Sequence, residues 1–158
     1  MKAAQPRRPA LGLHHCLIAM AMIFLLGASA SANQPPPTGV LTLRLLLKND
    51  NGQVGCLLFS SAQGYPKDSN AALQRKWCAI SAEASVCPFD PIPAGTYAVA
   101  CFHDENDNRK LDTGLFGIPR EGTVASNDAK GFLGPPSFDD AKFSFSGSAT
   151  ELRLRMNY

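Results

Sequence analysis

Histidine is scarce in this chain: of three, His14 and His15 sit in the first seventeen residues, and His103 is the only other. A Ser-His-Asp or Cys-His nucleophile would have to use His103, yet no Gly-x-Ser-x-Gly elbow is present. Zinc would want more histidines or free thiols. No Cys-x-x-Cys occurs, which argues against a redox pair. Charge of one sign is also missing. The whole chain has fifteen Lys and Arg against thirteen Asp and Glu, net +2, but Lys2, Arg7 and Arg8 lie at the N-terminus. Beyond residue 32, twelve face thirteen, so the net charge is −1 and no nucleic-acid footprint remains. After the first 32 residues no run is apolar enough to span a membrane.

What is present at the N-terminus sets the compartment. Lys2, Arg7 and Arg8 form a positive region, Cys16 to Leu26 an apolar one, and Ala28-Ser29-Ala30-Ser31-Ala32 a small-residue stretch. These three parts in this order predict a secretory signal peptide over residues 1–32, cleaved after Ala32, with Ala30 as second choice. The apolar part is short for a membrane anchor. His14-His15 precede Cys16 where a lipidation site would want small or apolar residues. The expected organisation is signal peptide 1–32, Pro-rich leader 33–38 and one domain 39–158, exported to the periplasm or the exterior. About 126 residues suffice for one real core.

Cys56, Cys78, Cys87 and Cys101 remain after cleavage, an even number that in an oxidising compartment predicts two disulfides. Three connectivities are open. Cys78 and Cys87 could close a hairpin. Bridges between distant strands remove more unfolded-chain entropy, about 3 to 4 kcal/mol for such loops, and that argument favours Cys56–Cys87 with Cys78–Cys101.

Along the rest of the chain the period is two. Leu41, Leu43, Leu45 and Leu47 alternate with Thr42 and Arg44; Asn49-Asp50-Asn51-Gly52 is a hairpin turn, and Gln53 to Ser60 the return strand. Gly64 to Lys76 breaks the pattern: Tyr65-Pro66 turns the chain, Asp68 or Ser69 can cap, and residues 70–76 predict a short helix. Trp77 to Ser81, Ala84 to Phe89, Thr96 to Phe102, Ala141 to Ser146 and Leu152 to Met156 read as further strands. About seven short strands with turns between them predict an all-β, antiparallel β-sandwich, with a small barrel as the fallback. A helix bundle is excluded by the period.

The chemistry-bearing stretch is Asp104 to Asp112. Asp104, Asn106, Asn108 and Asp112 fall at relative positions 1, 3, 5 and 9, and the Lys110 carbonyl lies between the last two. Alternate residues of a tight loop point inward, so these oxygens can surround a calcium ion. Two features of the full calcium loop are missing: Arg109 stands where glycine is usual, and Leu115 where a bidentate Glu is usual. Arg109 must then tolerate positive φ. The bland alternative is a ladder of Asx turns in which the side chains satisfy their own backbone. With two carboxylates, a calcium site here would sit in the weak extracellular range, roughly 10⁻⁴ to 10⁻³ M.

From His103 to Asp140 about forty residues show no sustained period, a length that marks a functional surface or a disordered insert. Leu115, Phe116, Ile118, Phe132, Leu133 and Phe138 are expected to anchor it as an ordered cap over one end of the domain. Asp139 and Asp140, as neighbours on a strand entry, would point apart and suit shared acid–base work poorly. Trp77 reads as a core residue, Arg153 and Arg155 as a solvated strand face, and Glu105 and Asp107 as solvent-facing.

Ile92-Pro93-Ala94-Gly95-Thr96-Tyr97-Ala98-Val99, Phe102-His103-Asp104-Glu105-Asn106, Lys110-Leu111-Asp112-Thr113, Phe116-Gly117-Ile118-Pro119-Arg120-Glu121-Gly122, Ser126-Asn127-Asp128 and the run from Phe132 to Ala141 resemble a bacterial family of exported proteins, domain-of-unknown-function family 2141. The resemblance spans Gly39 to Tyr158, with Arg109 as the one departure in the loop. The Pro-x-Gly-x-Tyr turn is also similar to that of prealbumin-like (carboxypeptidase-regulatory-like) sandwiches. The resemblance implies an Ig-like, prealbumin-like fold and export, and adds no activity. Two functions are expected to compete. The first is a non-enzymatic exported domain that binds a protein or envelope ligand through residues 103–140, with calcium as an accessory ion. The second is a hydrolase or carbohydrate-acting accessory domain using Asp104, Glu121 and Asp139.

Overall fold

Residues 34–158 are described by the computed structural model; the expected signal peptide lies outside the described residues. The strands are β1 (Thr38–Gly39), β2 (Leu41–Leu46), β3 (Gln53–Phe59), β4 (Gln74–Ser81), β5 (Ala84–Pro88), β6 (Ile92–Pro93), β7 (Gly95–Asp104), β8 (Thr123–Ala125), β9 (Phe143–Phe145) and β10 (Thr150–Arg155). One short helix, α1 (Phe138–Ala141), precedes β9, and among the described residues no helix is long and apolar enough to cross a membrane. Pro36–Tyr158 forms one compact unit.

The all-β expectation holds, and most of the strands fall where alternation places them. The all-antiparallel expectation is corrected by one parallel pair, and the arrangement nearly closes in a barrel-like way. β1 and β6 pair with each other in a small antiparallel sheet, and the other strands follow one path, β10-β2-β5-β4-β3-β7-β8, with β9 also on β7. The path nearly closes on itself, because Thr123 in β8 and Asn157 just beyond β10 exchange backbone bonds of 2.8 and 2.9 Å. The sheet is mixed: β10 lies parallel to β2, Thr150 opposite Leu41 through Arg155 opposite Leu46. Period-two patterning assigns a face to each side chain and is silent on strand direction.

Alternation fills the interior. Leu41, Leu43 and Leu45 of β2, Val54 and Leu58 of β3, Val99 of β7, Phe145 of β9 and Leu154 of β10 are buried in one core. On the opposite face of β7, Ala98 joins Ala125 and Ala141 in a second cluster, against which Tyr65 and Phe138 pack. Ser126 ties this layer to β7: its Oγ accepts from the Val99 N–H at 2.9 Å and donates to the Ala141 carbonyl at 2.6 Å. Residues 126–141 therefore cover the outer face of β7, not the end of the domain.

Three expectations change. Residues 70–76 do not form a helix: Gln74 begins β4 and Lys76 pairs with Cys56. Helix propensity there loses to pairing, since Gln74 also brackets Asp90, its Nε2 donating to the Asp90 carbonyl at 3.1 Å and its Oε1 accepting the Asp90 N–H at 2.9 Å. Asp139 and Asp140 stand on α1, capped by Ser137, instead of on a strand entry. Trp77 is not in the core; it lies on the outer face of β4, 41% exposed, edge-on to Phe102 across the bare surface of Gly55.

The disulfide pairing is also corrected. Cys56 stands beside Cys101, its register partner across β3 and β7, with Cα atoms 4.2 Å apart; Cys78 bridges to Cys87 across the β4–β5 hairpin, with Cα atoms 5.6 Å apart. Register decides this, because in the β-ladder Cys78 sits opposite Val54, and Cys87 opposite Leu43. The sequence separations are 45 and 9 residues. Chain-entropy reasoning gives the first bridge about 4 kcal/mol and the second about 3 kcal/mol. Non-reducing peptide mapping should recover Cys56–Cys101 and Cys78–Cys87. Chemical denaturation should find the paired Cys56→Ala and Cys101→Ala change the costlier one; a Cys56–Cys87 peptide, or the reverse order of costs, contradicts the register.

Candidate functional site

Chemistry-bearing side chains collect where β7 ends. The strand carries His103 on its core face and Asp104 on the opposite face, under the loop that follows, and both are fully buried. His103 Nε2 lies 2.6 Å from the Asn51 carbonyl and Nδ1 lies 2.7 Å from the Tyr158 hydroxyl. A carbonyl only accepts, so Nε2 carries the hydrogen and donates to Asn51, while Nδ1 shares a hydrogen bond with the Tyr158 hydroxyl. Tyr158 in turn accepts the Lys48 N–H at 3.2 Å. The histidine thus links the β2–β3 turn to the C-terminal residue, with both ring nitrogens used. In this structure it connects the β2–β3 turn, the end of β7 and Tyr158.

Around it, charge is paired. Lys48 Nζ lies 2.9 Å from Glu105 and 4.2 Å from the centre of the Tyr158 ring. Burial pushes the Glu105 carboxyl up, but hydrogen bonds from Lys48 and Asn49 and the Lys48 charge outweigh it and hold the group below its ordinary value. Burial, chiefly, raises the Tyr158 phenol above its ordinary value. Gly52 is required at the adjoining turn: its φ is +65°, and a Cβ there would collide with the Asp104 carbonyl.

The loop beyond β7 is held by its own oxygens. Asp104 accepts the Asn108 N–H at 3.0 Å on one oxygen and the Arg109 N–H at 2.8 Å on the other. Asn106 and Asn108 each donate a side-chain amide to Asp112, at 2.8 and 3.0 Å. Asn106 Oδ1 accepts the Asn108 N–H and Asn108 Oδ1 the Lys110 N–H, at 3.2 and 2.8 Å. Asp104, Asn106, Asn108 and Asp112 are therefore brought together, while Lys110 joins the ring through its N–H. Asp107 and Arg109 take positive φ, both 59°. Arg109 occupies the glycine-type position and lays its guanidinium toward the Trp77 ring, 5.9 Å from its centre.

Glu121 completes the arrangement, and its role has no signal in the loop's own spacing. It is buried, and its carboxylate accepts the Glu105 N–H at 3.0 Å and the Asp112 N–H at 2.9 Å. One side chain from beyond the loop thereby clasps both of the loop's ends. Glu121 and Asp104 spend their oxygens on backbone, and Asp139 pairs with Lys142 on the exposed side of α1 at 2.7 Å. These three carboxylates share no hydrogen-bond partner. Glu105 is only partly solvent-facing, whereas Asp107, Arg153 and Arg155 are exposed as expected.

The six expected apolar anchors separate. Phe138 is half-buried against Tyr65, with ring centres 5.8 Å apart. The other five point outward: Phe116 is 98% exposed, Phe132 96%, Leu133 94%, Leu115 80% and Ile118 63%. They occupy two turn tips. The Gly114 N–H reaches the Ile118 carbonyl at 2.7 Å, and Phe116 holds φ at 61°. Gly131 folds so tightly that a Cβ would strike the Gly134 carbonyl.

An all-β domain with a clasped loop at one strand end and exposed apolar turn tips on the segment that follows it defines a class and no chemistry. The chain belongs to the family described as an uncharacterised protein conserved in bacteria, domain of unknown function 2141, whose family model matches residues 46–153. No curated protein and no solved structure matches it.

Truncating the clasp strands two inward N–H groups. Glu121→Ala should lower the unfolding free energy by about 2 to 4 kcal/mol, because buried donors left without an acceptor cost about 1 to 3 kcal/mol each. Glu121→Gln, which keeps one acceptor oxygen, should cost less. Urea denaturation reads both; a change for Glu121→Ala within about 0.5 kcal/mol, the range of ordinary surface substitutions, contradicts the clasp.

Proposed function

We propose that this is an exported, non-enzymatic domain, periplasmic or extracellular, that binds a protein or envelope ligand through residues 103–140. The observation that carries the reading is the outward projection of Leu115, Phe116, Ile118, Phe132 and Leu133 on a segment that is otherwise anchored. Bulky side chains that contribute nothing to a core, placed on turns held by backbone bonds, are what a recognition surface needs. The three-part N-terminus and the paired cysteines support export. The spending of Asp104 and Glu121 on backbone N–H groups supports a binding role over carboxylate catalysis.

Calcium is proposed as an accessory ion. Asp104, Asn106, Asn108 and Asp112 already bond within one loop; an ion held there would replace the two amide bonds to Asp112 and share the Asn106 and Asn108 oxygens with the backbone N–H groups they now accept. The ion would stiffen the start of the binding segment. The prealbumin-like architecture is kept as a proposal too: β10-β2-β5 and β4-β3-β7-β8 enclose one core, as two sandwich layers joined at a β4 corner would.

Two outcomes are expected. The protein beginning at Asn33 should be retained on a bacterial cell-envelope fraction, and the paired Phe116→Ser and Phe132→Ser changes should abolish retention; equal retention of the two refutes the surface. Calcium at about 10 mM should raise the melting temperature of the same protein, with the rise absent in Asp112→Ala. No rise in the parent protein leaves the Asx-turn ring as a purely structural feature.

A further inference from the structure

The two apolar tips share a second feature. Each carries a cation close by: Arg120 lies two residues after Ile118, and Lys130 two residues before Phe132. Arg120 folds back over its own turn, its Nε 3.2 Å from where a Cβ on Gly114 would stand. Among the described residues neither cation is in an ion pair, a state they share with Lys67, Arg75, Arg109, Lys110 and Arg155; only at the two tips does such a cation stand beside a cluster of exposed large apolar side chains. Of the acids on the same segment, Asp104, Asp112 and Glu121 are tied into the loop, Glu105 is paired with Lys48, Asp139 with Lys142, and Asp140 is bonded to Ser137; Asp107 and Asp128 are exposed without such a partner.

From this pairing of exposed apolar side chains with free cations we infer that the tips at 114–120 and 130–134 dock the protein on a lipid surface of negative charge. The inference rests on the reading of residues 103–140 as the binding segment. A protein groove would have to enclose isolated side chains from narrow turns, each fully surrounded by solvent. A bilayer interface needs no such fit. Phe and Leu enter the boundary between headgroups and acyl chains while Lys or Arg stays at the phosphates. Gly114, Gly117, Gly131, Gly134 and Pro135 keep the tips narrow, so no strand edge or polar side chain must be buried with them. The protein beyond residue 32 is close to neutral, −1 overall, so attraction to an anionic surface must come from the local cations and not from net charge.

The test uses the protein beginning at Asn33, since Pro36–Tyr158 holds the whole core and the signal's apolar run would bind lipid by itself. Its cosedimentation is measured with vesicles of phosphatidylglycerol and phosphatidylethanolamine, and with vesicles of phosphatidylcholine alone. Binding is expected to the anionic vesicles. It should fall by about tenfold or more when Phe132→Ser and Leu133→Ser are combined, or Leu115→Ser and Phe116→Ser, as the transfer of two large apolar side chains requires. Lys130→Ala and added salt should weaken it further. Because all these side chains are exposed, circular dichroism of the variants should match the parent. Absence of binding to anionic vesicles, equal binding to both kinds, or binding that ignores both tip variants overturns the inference. Tip-dependent retention on the envelope fraction without vesicle binding rejects the lipid and leaves the broader binding role standing. Loss of both rejects the two together.

Discussion

Two buried carboxylates, Asp104 and Glu121, hold the end of β7 and everything attached to it. An ionised carboxylate taken out of water is costly unless its oxygens are saturated by donors. Here the donors are backbone N–H groups of residues 105, 108, 109 and 112, so satisfying the charge and folding the loop are one event. Bonds to charged groups contribute about 1.5 to 3 kcal/mol each, more than neutral ones. This sets the course of the chain between β7 and β8, and with it the point from which the 114–118 turn leaves. His103, one residue before Asp104, extends the junction to the β2–β3 turn and to Tyr158.

Most of the strand positions were legible in the sequence because each strand shows one face to a core and one to solvent or to a small cover. Leu41, Leu43 and Leu45 declare β2 by themselves. What alternation cannot carry is partner and direction. The parallel seat of β10 beside β2, the near closure through Thr123 and Asn157, and the Cys56–Cys101 pairing all depend on which strands meet, a long-range property. Local propensity misled at Gln74, where bonds to Asp90 and pairing with Leu58 outweigh a helical preference worth tenths of a kcal/mol. Trp77 misled in another way: aromatic bulk suggests a core, but its strand position faces outward over Gly55.

The candidate site was half legible. The one-three-five-nine spacing from Asp104 to Asp112 picks out four side chains that bond within one loop, because within a tight loop sequence distance and spatial distance agree. The Lys110 carbonyl expected with them is not part of that bonding. Glu121 was beyond that reasoning. It reaches the loop from nine residues past Asp112, and nothing in the spacing shows that its oxygens meet two particular N–H groups. The apolar residues of the segment illustrate the remaining ambiguity. Phe138 and Phe132 look alike in sequence, yet one packs on Tyr65 and the other meets only solvent, since a segment without a period offers no rule for which side faces in.

The account rests on a loop that is rigid by virtue of its own carboxylates. Amide hydrogen exchange followed by NMR tests this most directly, without mutation. The N–H groups of Glu105, Asn108, Arg109 and Asp112 should be protected to a degree comparable with the paired residues of β7, while those at the 114–118 and 131–134 tips not bonded to a carbonyl exchange freely. Exchange of the four clasped N–H groups at the rate of an unstructured loop would contradict the account.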